Sequence, residues 1–182
     1  MSSPPLYASP TEPTAAPQFS GWPLLRLGFR PFYVGAAAFA LLSIPLWVAV
    51  YLGQWNLAMA LPPLLWHAHE MLFGFAVAVI LGFLLTAVKA WTGLGTPRGA
   101  ALGALALLWL AARVAAVTGP YTLYAVLDLA LLPLVAAVLT RLLLRARNRR
   151  NLPLAAMLML IALANGVFHL GLVGVLDVSP LA

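Results

Sequence analysis

The chain has no cysteine, which removes thiolate ligands, disulfides and cysteine-held iron–sulfur clusters from its chemistry. Charge is almost as scarce. Only 8% of residues are charged, 4 of them acidic and 10 basic. A soluble domain is about a quarter charged and about half apolar; this sequence is 64% apolar with a mean hydropathy of +1.00. No Gly-rich phosphate loop, Ser/His/Asp arrangement or pair of catalytic carboxylates occurs. The composition is that of an integral membrane protein. The net charge of +6 does not point to nucleic acid, because the basic residues are placed as topology signals.

What the chain has instead is long apolar runs. Five segments approach the ~20 residues needed to cross a bilayer. They lie at about 32–52, 67–90, 99–118, 121–143 and 153–174 and together predict an all-α transmembrane bundle over residues 32–176. Pro62-Pro63, Pro97, Gly119-Pro120 and Pro153 punctuate them as helix boundaries. Pro45 and Pro133 fall within spans, where a membrane helix tolerates them. Residues 1–20 hold five prolines and one charge, Glu12, and read as a disordered tail rather than a cleaved signal peptide. Residues 21–31 read as an interfacial segment, with Arg26 and Arg30 among apolar neighbours. Residues 177–182 form a short C-terminal end.

Nine of the 10 basic residues flank the same side of these spans: Arg26, Arg30, Lys89, Arg98, Arg141, Arg145, Arg147, Arg149 and Arg150. By the positive-inside rule the N-terminus is cytoplasmic and the C-terminus exoplasmic. That topology gathers the remaining ionisable residues. His67, His69 and Glu70 stand at the outer mouth of the second span. Arg113, Asp128, Asn165 and His169 all fall within roughly 15 Å of the outer boundary, at ~1.5 Å per residue. Intramembrane ionisable groups are costly and call for a functional reading.

On an unbroken helix His67 and Glu70 share a face, about 60° apart, whereas His69 lies about 200° from His67. Both imidazoles therefore cannot reach one metal from a regular helix. Either one of them ligates while the other serves a second site or a hydrogen bond, or the helix begins after His67. Glu70 could orient a ligating histidine from another helix, and His169 is the partner to consider. Two imidazoles facing each other between helices make a bis-His haem site; the same set with one withheld could hold copper. Arg113 and Asp128 are expected to pair across the third and fourth spans. Plainer roles stand beside these. His169 alone could be interfacial, Asn165 could be interhelical glue, and Trp22, Trp55, Trp66, Trp91 and Tyr121 could form aromatic belts. Arg145 to Arg150 could anchor topology or hold anionic lipid, and Gly99 and Gly103 could bring helices together.

Several stretches carry a further signal: Leu27-Gly28-Phe29-Arg30-Pro31-Phe32, Trp66 to Phe75, Gly82 to Gly93, Leu108 to Arg113, and Arg150 through Asn165 to His169. In this order and spacing the chain resembles the NnrS family over about 21–174. The resemblance implies a multi-pass protein of the bacterial inner membrane that binds haem and copper. It also implies association with denitrification and the nitric oxide response, without a defined reaction. The motif histidines carry over as His67, His69 and His169, with no assignment of which takes haem and which copper. Family members resemble a twelve-span protein about twice as long, so a partner in the form of a missing C-terminal half, or an oligomer, is expected beside the lipid bilayer. Two other classes stay open: half of a transporter or channel with an outer polar site for a solute or proton, and a non-functional truncated fragment whose polar groups would face lipid.

Overall fold

The computed structural model describes residues 22–57 and 59–174. The expected tail at 1–20 and the end at 177–182 lie outside the described residues. Within them the fold is all-α, with five helices long and apolar enough to cross a membrane. We label them α1 (Phe29–Tyr51), α2 (Pro63–Thr92), α3 (Ala100–Thr118), α4 (Tyr121–Arg145) and α5 (Leu152–Leu172).

The boundaries follow from local chemistry. α2 starts on Pro62-Pro63, whose fixed φ suits a first helical turn that needs no N–H partner. It stops at Gly93, which takes the left-handed φ of 68° while its N–H bonds to the Lys89 carbonyl at 3.0 Å. Pro120 caps α4, and Pro153 sits in the first turn of α5. Pro45 and Pro133 are accommodated inside α1 and α4. Ahead of α1, a 3-10 turn at Pro23–Leu25 is tied to the start of α3 by the Gly99 N–H on the Leu25 carbonyl, 2.9 Å.

α1 packs on α2, α2 on α4, and α4 on both α3 and α5. α2 is the central element: half of its most apolar window is buried, against 11% for α1. The outward faces carry Leu41, Leu42, Leu107, Leu160 and Leu163, all more than half exposed, as lipid-facing residues should be. Lipid is as apolar as leucine, so close van der Waals packing and polar contacts, rather than water exclusion, hold such helices together.

Along the bundle axis the interior has three layers. The half of the bundle at the start of α1 is apolar, built from Phe32, Leu81, Leu85, Leu102, Leu139 and Leu143. A cap at the opposite end contains Leu61, Trp66, Ala116 and Tyr124, and the loop after α1 docks there through the Ala60 N–H on the Ala116 carbonyl at 3.0 Å. Between the two lies a polar layer.

Two expectations change. Gly99 and Gly103 do not join two helices: Gly99 is the N-cap of α3 with φ 59°, and Gly103 faces the Leu25 side chain. The strap ahead of α1 has taken the place a partner helix would occupy. Trp66 is 1% exposed and belongs to this cap rather than to a lipid-facing belt, because the first loop packs over it through Leu61. Trp22, Trp55 and Trp91 are exposed.

Candidate functional site

The polar layer is built on α2 by an irregularity. Residues Glu70–Ala76 form a π-helical stretch within the span. Such widened turns shift the phase of side chains. The Gly74 carbonyl, which also receives the Val77 N–H, accepts a hydrogen bond from Trp109 Nε1 on α3 at 3.0 Å. Gly74 also makes room. A Cβ there would stand 2.7 Å from Arg113 Nη1 and 2.8 Å from Glu70 Oε2.

Arg113 occupies that space and bridges two carboxylates. Nη1 donates to Glu70 Oε2 at 2.8 Å, and Nη2 donates to Asp128 Oδ1. Glu70, Arg113 and Asp128 come from α2, α3 and α4 and are 0%, 4% and 5% exposed. Removing these charges from water costs several kcal/mol per ion unless they are paired and hydrogen-bonded, and here each is.

His69 and His169 complete the layer at 1% and 4% exposure. His69 Nδ1 lies 2.7 Å from Tyr124 Oη, and His169 Nδ1 lies 2.9 Å from Tyr121 Oη. Tyr124 donates to Glu70 Oε1 at 3.1 Å, and Tyr121 donates to the His169 carbonyl at 3.1 Å. Two tautomers are consistent with the ring contacts: Nδ1–H donating to tyrosine, or Nε2–H donating to Asn165 Oδ1 from His69 and to Asp128 Oδ2 from His169.

The two Nε2 atoms converge. His69 Nε2 lies 3.4 Å and His169 Nε2 3.3 Å from the same oxygen, Asp128 Oδ2. Asn165 donates from Nδ2 to that oxygen at 2.6 Å and turns its own Oδ1 to His69 Nε2 at 2.9 Å. Asp128 Oδ2 thus receives the Asn165 amide and lies within reach of both Nε2 atoms. One ligand atom from each of His69, Asp128 and His169 can be chosen so that all lie within 4.8 Å of one another, the spacing expected around a single metal ion.

His67 stands apart. Its ring stacks on Trp47 of α1, centroids 4.0 Å apart and planes at 19°, and its buried Nδ1 has no partner. The two α2 imidazoles do diverge, as helical phase requires. However, Glu70 falls on the His69 side, with His69 Nδ1 3.4 Å from Glu70 Oε1, and not beside His67. The π turn that opens at Glu70 breaks the regular phase on which the shared face was reckoned.

Composition and hydropathy do not single out Tyr124, and they suggest an aromatic belt for Tyr121; the structure puts both hydroxyls at the site. A signal for both was present. Tyr121, Tyr124 and Asp128 follow the spacing of one α4 face, and Asn165 and His169 that of one α5 face. The site residues are buried against each other rather than turned to lipid, so the lipid-facing arrangement expected of a non-functional fragment does not occur among the described residues.

Fold and site define the class: a polytopic helical membrane protein with a buried His/carboxylate cluster near one end of its bundle. Residues 23–182 match the family model described as NnrS protein, and the chain belongs to the NnrS family. No curated protein and no solved structure matches it.

Proposed function

We propose that this chain is a metal-binding protein of the bacterial inner membrane, linked to the nitric oxide response, in which His69, His169 and Asp128 hold one copper ion. The supporting observation is the convergence of the two Nε2 atoms on one carboxylate oxygen, with one ligand atom from each of these three buried residues within 4.8 Å of the others. Imidazole nitrogen suits copper, and copper heads the divalent affinity order for such a site. The family implies the same metal.

The surrounding residues have definable tasks. Tyr121 and Tyr124 hold the two rings by their far nitrogens, fixing tautomer and aim as partners of metal-ligating histidines do. Arg113 holds Glu70 and Asp128 in place. Phe73 and Phe168 flank the His69 ring at 4.7 and 4.8 Å and exclude water from that side. When bound, copper supplies a one-electron redox centre.

Haem, which the family also implies, does not fit between His69 and His169. Their rings meet edge to face with centroids 5.4 Å apart, and no slot for a macrocycle separates them. For haem this leaves His67, the imidazole outside the cluster. The burial of acids and imidazoles together also favours a second reading: a site for a proton or other cation in half of a transporter, with no metal bound.

Metal analysis and electron paramagnetic resonance on the detergent-purified chain separate the two readings. Copper at one per chain, lost in His69→Ala and in His169→Ala but kept in His67→Ala, is the expected result. Stoichiometric copper in all three variants removes the proposed ligands. A wild-type protein that takes up no copper favours the transport reading.

A further inference from the structure

Toward the end of the bundle opposite the histidines, α4 and α5 leave an open groove of about 480 Å³ between them. Pro133, Ala137, Thr140, Arg141 and Leu144 of α4 line it, with Met159 of α5 beside them. Positions 133, 137, 140 and 144 form one helical stripe. From Pro133 to Leu144 the stripe runs roughly 16 Å along the axis, about half of the ~30 Å hydrocarbon thickness. The groove is therefore as long as one leaflet is deep. Its floor is low because Pro133 and Ala137 are small, and Leu144 and Met159 stand 54% and 41% exposed along it, on a face turned to lipid.

Its far end is polar. Arg141 is exposed and has no hydrogen-bond, ion-pair or ring partner among the described residues. Arg145, one turn further on, has none either. The described acids are Glu70 and Asp128, both held by Arg113, and Asp128 lies roughly 20 Å back along the same helix. Like charges one turn apart repel. The C-terminus of α4 offsets only about half a charge of the two, so an anion is favoured there. A hydroxyl stands beside them. Thr86, Thr92 and Thr118 each donate Oγ to the carbonyl four residues back, at 3.1, 2.6 and 3.0 Å. Thr140 has the Ala136 carbonyl at the same spacing but makes no such bond, so its hydroxyl is left for an occupant of the groove. None of these residues takes part in the metal site.

We infer that this groove binds one anionic glycerophospholipid, its phosphate held by Arg141, Arg145 and Thr140 and an acyl chain lying along Ala137 to Pro133. Inorganic phosphate would satisfy the polar end alone; the apolar continuation, one leaflet long, selects the lipid. Basic pockets between transmembrane helices recognise anionic headgroups in this way.

The test is native mass spectrometry of the full chain in neutral detergent, titrated with dioleoyl phosphatidylglycerol or dioleoyl phosphatidylcholine. One phosphatidylglycerol should bind roughly 10-fold more tightly than phosphatidylcholine, or better. The double substitution Arg141→Ala/Arg145→Ala should weaken it roughly 30-fold, the loss expected for two interfacial cations. Thr140→Val keeps the shape, removes the hydroxyl and should weaken it about 5-fold. Ala137→Trp, at an exposed position, fills the groove without changing charge and should abolish the preference. Arg149→Ala/Arg150→Ala removes the same charge from the following loop and should leave binding intact. Equal binding of the two lipids, or an equal loss in the Arg149/Arg150 control, overturns the site. Displacement of the lipid by millimolar inorganic phosphate, with no effect of Ala137→Trp, overturns its assignment to a lipid. A lipid-free dimer that Ala137→Trp dissociates gives the groove to a second copy of the chain and overturns the lipid as well. Should the Arg141/Arg145 variant not fold, Thr140→Val and Ala137→Trp beside the Arg149/Arg150 control decide.

Discussion

Gly74→Ala is the most informative single perturbation of this protein, because a methyl group there enters the centre of the ion-pair network. Its Cβ would lie 2.7 Å from Arg113 Nη1, 2.8 Å from Glu70 Oε2 and 3.1 Å from Phe39 Cε1. These contacts cannot be relieved by swinging a free side chain, since the guanidinium is already bonded to Glu70 and Asp128. If the α2 backbone moves away instead, the bond from Trp109 to the Gly74 carbonyl is strained. Overpacking costs about 1–3 kcal/mol when the surroundings yield, and breaking a buried ion pair costs about 3–5 kcal/mol. An intermediate figure of about 3 kcal/mol corresponds to roughly a 150-fold larger unfolding constant. The assay is equilibrium unfolding in mixed micelles, or steric trapping in bicelles. Gly166→Ala is the control: it is also a helical glycine and neighbours Asn165, but a Cβ there meets nothing within 4 Å. It should be neutral or stabilising by up to about 1 kcal/mol, as Gly→Ala is in a helix. A Gly74→Ala protein as stable as Gly166→Ala would refute the packing of Glu70 and Arg113 around this turn.

The remaining predictions concern the same network and the topology. Tyr124→Phe removes the hydroxyl shared by His69 Nδ1 and Glu70 Oε1. It should cost about 1–3 kcal/mol in unfolding and weaken copper binding roughly 10–100-fold in competition titrations; unchanged copper affinity would remove the tyrosine from the site. Arg113→Gln leaves two buried carboxylates without their cation and should destabilise by about 3–5 kcal/mol, measured by the same unfolding assay. Lys89→Gln, at an exposed helix end, should change stability by less than about 0.5 kcal/mol; equal effects would deny that Arg113 holds the acids. A periplasmically active reporter fused after Ala182 should give signal, and a cytoplasmic one none, if the basic loops face the cytoplasm.

Much of this protein was legible as a string. Apolar runs and their Pro and Gly punctuation located five spans, because a helix must satisfy its own backbone in lipid and must be about 20 residues long to cross it. The same sequence placed His69, Glu70, Arg113, Asp128, Asn165 and His169 at one depth. Depth needs only a count of residues from each span end. Family membership was legible as well, through residues spread from Leu27 to His169.

Lateral partners were another matter. Which imidazole joins the carboxylates depends on how α2 is rotated, and the π turn at Glu70–Ala76 alters that rotation without a sequence signal of its own. His67 and His69 are two residues apart, yet one stacks on Trp47 and the other meets Asp128. Tyr124 and Tyr121 became ring-holding residues because α4 lies between α2 and α5, and Gly103 lost its expected helix partner because the strap before α1 lies against it. Composition and hydropathy are set along one dimension, and so they determine the membrane, the spans and the depth of each charge. The choice of neighbour is made across helices far apart in the chain, and only the packed bundle decides it.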